Sequence, residues 1–159
     1  MSEDADWLPA LLPFGGDWFA YVEMLYACYL DAFVTNTTYW RGKRVGVRRS
    51  PEINGKGFSF WHVTSGVDDA TGEILDPDLD RCARVAWIKA VIEAEPEKVL
   101  TWEQVRPDQT SIGIALPDFS FVVFLAERRD WVYLRTAYCV VSRGRRDKYR
   151  REYEASKKR

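Results

Sequence analysis

The sequence predicts an α+β fold in which an antiparallel sheet of about four to five strands is flanked by N-terminal, central and C-terminal helices. Three observations predict it. Apolar residues recur at helical spacing from Asp17 and again between Asp76 and Pro96. Four strand-like runs follow one another from Val99 to Val141, separated by turn-forming residues. A polar, basic helix then closes the chain after Ser142. At 159 residues, 47% apolar and 30% charged, the chain has material for one core, and it reads as a single domain, 1–159, with an irregular arm over 1–16 and a basic helix over 143–159.

The elements can be justified in order. Pro9, Pro13 and the Gly15-Gly16 pair make the arm irregular. Asp17 can then cap a long helix whose apolar stripe is Trp18, Tyr21, Val22, Leu25, Tyr29, Ala32 and Phe33, widened by Phe19, Tyr26 and Leu30. Residues 35–56 are polar, basic and punctuated by Gly42, Gly46, Pro51 and Gly55, which predicts a loop with a short strand near Val45 and Val47. The aromatic run GFSFWHV, residues 57–63, predicts a strand, with Phe58, Phe60 and His62 on one face. After a loop over 64–75, Asp76-Pro77 supplies a cap and a proline at the first helical position, with Asp78 and Asp80 near the positive end of the dipole and Pro96 as the stop. On this helix Arg81, Arg84 and Ile88 lie along one stripe.

The meander comprises 99–105, 111–116, 119–127 and 131–141, turned at Pro117-Asp118 and Arg128-Arg129-Asp130. In its last strand, strict alternation puts Val132, Leu134, Thr136, Tyr138 and Val140 on one face. The closing helix has few apolar positions besides Tyr149 and Tyr153, so its end is expected to fray or to lie against a charged partner.

Composition removes several function classes. No run approaches the roughly 18 apolar residues of a membrane span, and the acidic start, MSEDADW, is unlike a secretory leader. Cys28, Cys82 and Cys139 are odd in number and set in apolar stretches, which suits buried thiols in the cytoplasm rather than a disulfide scaffold. With one histidine and no paired CxxC, no zinc site is expected, and Arg81 and Trp87 occupy the positions where a calcium loop starting at Asp76 needs glycine and glutamate. Walker, dinucleotide-binding, esterase and metalloprotease motifs are also missing. No metal or cofactor is called for.

The net charge of −1 conceals an asymmetry. Residues 143–159 hold nine Lys/Arg against three Asp/Glu, leaving fourteen against twenty-one in the rest. A second cluster, Arg41, Lys43, Arg44, Arg48 and Arg49, has no acid within it. Together with Lys56, Arg145 and Arg146, these clusters form a candidate RNA-binding surface, whereas either alone reads more readily as a solvated face.

His62 titrates nearest neutrality and is the first candidate for proton transfer, against the alternative of a satisfied core histidine. Arg81 and Arg84 are candidates to hold a phosphate, or else surface ion-pair partners. Thr136 and Tyr138, two apart on a strand, can offer two hydroxyls to one anion, or simply fill the pleat.

The order of these pieces is informative. Leu25-Tyr26-Ala27 on a helix, Gly55-Lys56, Phe60-Trp61-His62, the segment from Asp78 to Arg84, Trp87 and Thr136-Ala137-Tyr138 are followed by a basic helix. Over about 18–154 this resembles the phage-associated branch of the barnase/EndoU/colicin/RelE-like (BECR) nuclease superfamily. It departs from that pattern at Ala83, Ala86 and Cys139.

The resemblance implies a BECR-type α+β fold and a metal-independent endoribonuclease of toxin or effector type, leaving 2′,3′-cyclic phosphate and 5′-hydroxyl ends. The implied catalytic residues are His62, Arg81, Arg84, Thr136 and Tyr138. The implied partners are RNA, such as tRNA or mRNA, and a cognate antitoxin or immunity protein. The second proton carrier stays open among Tyr138, a carboxylate, Lys56 and water. Two other readings fit the residues: a non-catalytic RNA-binding domain, and a protein-interaction domain using an aromatic surface around Trp102, Trp131 and Tyr133.

Overall fold

Asp17 starts the first helix as its composition dictates: its carboxylate accepts from the Ala20 N–H at 3.2 Å, and α1 runs Trp18–Leu30 before loosening into a π-helical turn at Asp31–Thr35. The computed structural model describes residues 6–68, 70–71, 73–105 and 107–158. Met1–Ala5 of the acidic start and Arg159 of the basic end lie outside the described residues. Tyr21, Val22, Leu25, Tyr29, Ala32 and Phe33 face inward, but Phe19 is 83% exposed and does not widen the stripe. The arm is irregular yet anchored. Leu12 N–H donates to the Ala83 carbonyl at 2.9 Å, and the Trp87 indole N–H donates to Pro9 at 2.8 Å.

A short hairpin follows, β1 Tyr39–Trp40 and β2 Lys43–Gly46, turned at Arg41 and Gly42, both with positive φ. The aromatic run expected as a strand is instead helix α2, Phe58–Thr64. Its buried residues, Ser59, Phe60, Val63 and Thr64, have helical spacing. Ser59 ties it to the chain leaving β2, donating its N–H to the Arg48 carbonyl at 2.9 Å and accepting from Arg48 N–H at 2.8 Å through Oγ. Tertiary anchoring therefore overrides the β-propensity of the aromatics.

Strands β3 Ser65–Val67 and β4 Ile74–Pro77 form a separate two-stranded ribbon that absorbs Asp76-Pro77. The helix cap is Asp78, which accepts from Asp80 and Arg81 N–H. The expected single helix is broken at Arg84 (φ −110°, ψ 17°) into α3 Leu79–Ala83 and α4 Val85–Ile92, and Pro96 opens a 3₁₀ turn, Pro96–Lys98.

The meander forms as β5 Leu100–Val105, β6 Thr110–Ala115, β7 Phe121–Glu127 and β8 Trp131–Cys139. The main sheet, in order β1-β2-β8-β7-β6-β5, has six strands rather than four to five and is mixed rather than antiparallel, because β2 runs parallel to β8. The class remains α+β. Pairing strands some 90 residues apart leaves no local sequence signature, unlike the hairpin-linked meander.

One face of the sheet packs on α1, α2 and α4 through Leu25, Phe60, Val63, Ile88, Val123 and Leu134. The other carries Trp102, Phe119, Val122, Phe124 and Val140 beneath α5, Arg143–Lys157. Ser142 caps α5, and the body of the helix docks on the sheet: Tyr149 is buried, and Glu152 accepts from the Trp102 indole at 3.1 Å.

Between β7 and β8 the register shifts. Phe124 opposes Thr136 and Leu125 opposes Leu134, so Arg135 is an extra residue in β8. The strict alternation expected there is thereby broken: Val132, Leu134 and Ala137 belong to the first core, while Tyr138 and Val140 join the second.

Candidate active site

Beside this bulge, α2, α3, β8 and α5 converge. His62 is half-buried near the end of α2, and Arg81 Nη1 donates to its carbonyl at 3.3 Å. The Arg81 guanidinium lies 5.1 Å from the Tyr138 ring centre, and its Nε is 3.8 Å from the Asp78 carboxylate. Tyr138 extends from β8 so that its hydroxyl meets that of Tyr149 on α5. From the bulge, Arg135 crosses β7 to donate to Ser111 Oγ on β6 at 2.8 Å. Arg48 lies 4.3 Å above Phe58, whose ring is 5.6 Å from that of His62.

The electrostatics follow from this crowding. Burial, then Arg81, Arg135 and Arg48 in turn, push the His62 pKa down to about 4. Its Nδ1 is buried with no hydrogen-bond partner among the described residues. A neutral imidazole ringed by guanidiniums can accept a proton at pH 7 and sits where an anion would be drawn. Burial also lowers the Arg81 pKa, against the opposing pull of Asp78. Burial and the contact with Tyr138 raise that of Tyr149, so this hydroxyl stays protonated. Among the described residues, no three of His, Cys, Asp and Glu gather where they could hold a metal ion.

The depressed histidine pKa has a measurable effect on stability. As pH falls from the ordinary value of 6.5 towards 4, the unfolded chain takes up a proton at His62 that the folded chain refuses, so stability present above pH 6.5 is progressively lost. The loss is expected to reach about 2 kcal/mol by pH 5. Urea denaturation of wild type and His62→Gln at pH 7.5 and 5 measures it, the variant losing correspondingly less.

The other expected site residues divide. Thr136 is half-buried opposite Phe124, on the Tyr138 side of the sheet. Arg84, at the helix break, has partners of its own: it donates to the Asp80 carbonyl, 3.0 Å away, and lies over Trp87. Lys56 is ion-paired with Glu23 at 2.7 Å and lies over Tyr26. Arg41 and Arg44 are exposed over Trp40 and Trp131, Lys43 is half-buried, and Arg49 is exposed beside a cavity of about 160 Å³ lined by Tyr26 and Glu52. Arg145 is exposed on the first turn of α5, close enough to act electrostatically on both Arg81 and Tyr149. Arg146 donates to the Val140 carbonyl at 2.6 Å.

Of the aromatic surface expected around Trp102, Trp131 and Tyr133, Trp102 is buried and only the other two reach solvent. Sequence reasoning missed Arg135 and Tyr149 as members of the site. Their signals are a charge inside an apolar strand and a lone aromatic within a run of basic helix residues.

Comparison with protein-family models, curated proteins and solved structures finds no match for this chain.

Proposed function

We propose that the chain is a metal-independent endoribonuclease of the toxin or effector type, belonging to the phage-associated branch of the BECR superfamily. The observation that carries the reading is the only histidine of the chain, held neutral by burial and three arginines, one of which, Arg81, donates to its carbonyl and lies over the ring of Tyr138. RNA brings its own nucleophile, so the protein has to move protons and neutralise charge.

His62 takes the proton from the ribose 2′-hydroxyl as its oxygen attacks the adjacent phosphorus. Arg81, with Arg48 and Arg135 as the other guanidiniums that act on His62, offsets the negative charge gathering on the phosphoryl oxygens, and Thr136 donates to one of them. The bond from phosphorus to the 5′ oxygen breaks, and Tyr138, backed by Tyr149, delivers a proton to the leaving oxygen. The products are a 2′,3′-cyclic phosphate and a 5′-hydroxyl, and solvent restores both proton carriers.

The test is incubation of the purified protein with total cellular RNA in EDTA, followed by end mapping. Discrete cyclic-phosphate ends are expected. Intact RNA, with or without salt-sensitive binding, would refute the nuclease and leave a binding module or a protein-interaction domain.

A further inference from the structure

On the sheet face that carries Tyr138, β8 also presents Trp131 and Tyr133, both half-buried, with ring centres 6.5 Å apart and planes at 88°. The indole is seated on β2. A Cβ at Gly46 would stand 2.5 Å from the Trp131 ring, so only glycine lets the ring lie there. Arginines lie over both rings: Arg44 is 5.5 Å from Trp131 and Arg128 is 5.6 Å from Tyr133. Arg44, Arg48 and Arg128 take part in none of the salt bridges among the described residues. Along β8 the ridge therefore reads Trp131, Tyr133, Arg135, Tyr138 over about 23 Å, ending at the site.

We infer that Trp131 and Tyr133 form a base-stacking subsite for single-stranded RNA, delivering the strand to His62; its place beside a reacting phosphate rests on the nuclease reading. Aromatic rings interleaved with guanidiniums on one face suit a polyanion with exposed bases, because the rings take the bases and the guanidiniums take the phosphates. An exposed arginine over a ring is held more weakly than a stacked base. An incoming base therefore displaces Arg44 or Arg128, which swings to the neighbouring phosphate. A duplex, with its bases already stacked on each other, gains nothing from the rings.

The test uses the full chain carrying His62→Ala, so that binding is read without cleavage, and a fluorescein-labelled oligouridylate with an A·U duplex of equal length as control. Trp131→Leu and Tyr133→Leu are each expected to weaken single-strand binding about tenfold with an unchanged salt slope. Trp131→Phe should recover most of the affinity. Gly46→Ala, which keeps the indole but removes its seat, should reproduce the loss, and the single strand should bind more tightly than the duplex. Arg44→Gln should lower the salt slope by about one.

Wild-type affinity in variants that melt normally, or preference for the duplex, would overturn the subsite. Cleavage by the parent chain is assayed separately. Cleavage with ring-independent binding sinks this inference alone, whereas ring-dependent binding without cleavage sustains it and sinks the nuclease.

Discussion

Replacing His62 by alanine is expected to lower RNA cleavage about a thousandfold while leaving RNA affinity nearly unchanged. The split follows from the division of labour at the site. Held neutral by burial and by Arg81, Arg135 and Arg48, the imidazole can offer a proton acceptor and carries no net charge at pH 7. The guanidiniums proposed to take the phosphate remain in the variant. Single-turnover cleavage and filter binding measure the two effects separately.

The pH profile carries the same signature. A base with its pKa near 4 stays competent well below neutrality, so cleavage should hold level from pH 7 to about pH 5 and then decline as His62 protonates. An unperturbed histidine would already lose rate near pH 6.5. A variant that cleaves at the wild-type rate would remove His62 from the chemistry.

The second large effect is structural. Trp102→Ala is expected to cost about 3–5 kcal/mol, a large fraction of the total stability of a domain this size. Trp102 is 1% exposed and packs against Phe119, Phe124 and Tyr149 at ring distances of 5.7–5.8 Å. Its indole lies on Gly113, where a Cβ would be 2.6 Å away, and its N–H is donated to Glu152. Truncation opens a cavity between sheet and helix and removes one of two donors to that Glu152 oxygen, Gln104 at 2.5 Å being the other among the described residues.

Because the ring clamps α5, its loss should also free Tyr149 from Tyr138, so cleavage falls further than the unfolded fraction explains. Urea denaturation with parallel activity measurements checks both. Phe19→Ala, at a ring 83% exposed, should change stability by less than about 0.5 kcal/mol.

How much of this was legible in the sequence depended on whether the deciding interactions were local. The Asp17 cap, the meander and the Ser142 start of α5 are set by neighbours in sequence, and they fall within a residue or two of expectation. Residues 57–63 failed because an aromatic-rich heptapeptide satisfies both periods at once. Its helix is decided by Ser59 docking on Arg48, which no short window contains. The parallel pairing of β2 with β8 failed for the same reason.

At the site, His62, Arg81 and Tyr138 could be named because their chemistry is conspicuous. The partners of Arg84 were not foreseen because a continuous helix was assumed where the backbone breaks. Arg135 and Tyr149 were missed because a bulge and a helix docking place them, and neither has a composition of its own.

The parallel pair also bears on how the molecule can be made. His62 and Arg81 emerge from a ribosome well before β8 and Tyr149, and β2 has no sheet to join until β8 exists. A growing chain therefore carries His62 and Arg81 before the strand and helix that complete their surroundings. The cluster is assembled only once β8 and α5 have both been made, however early α2 and α3 form.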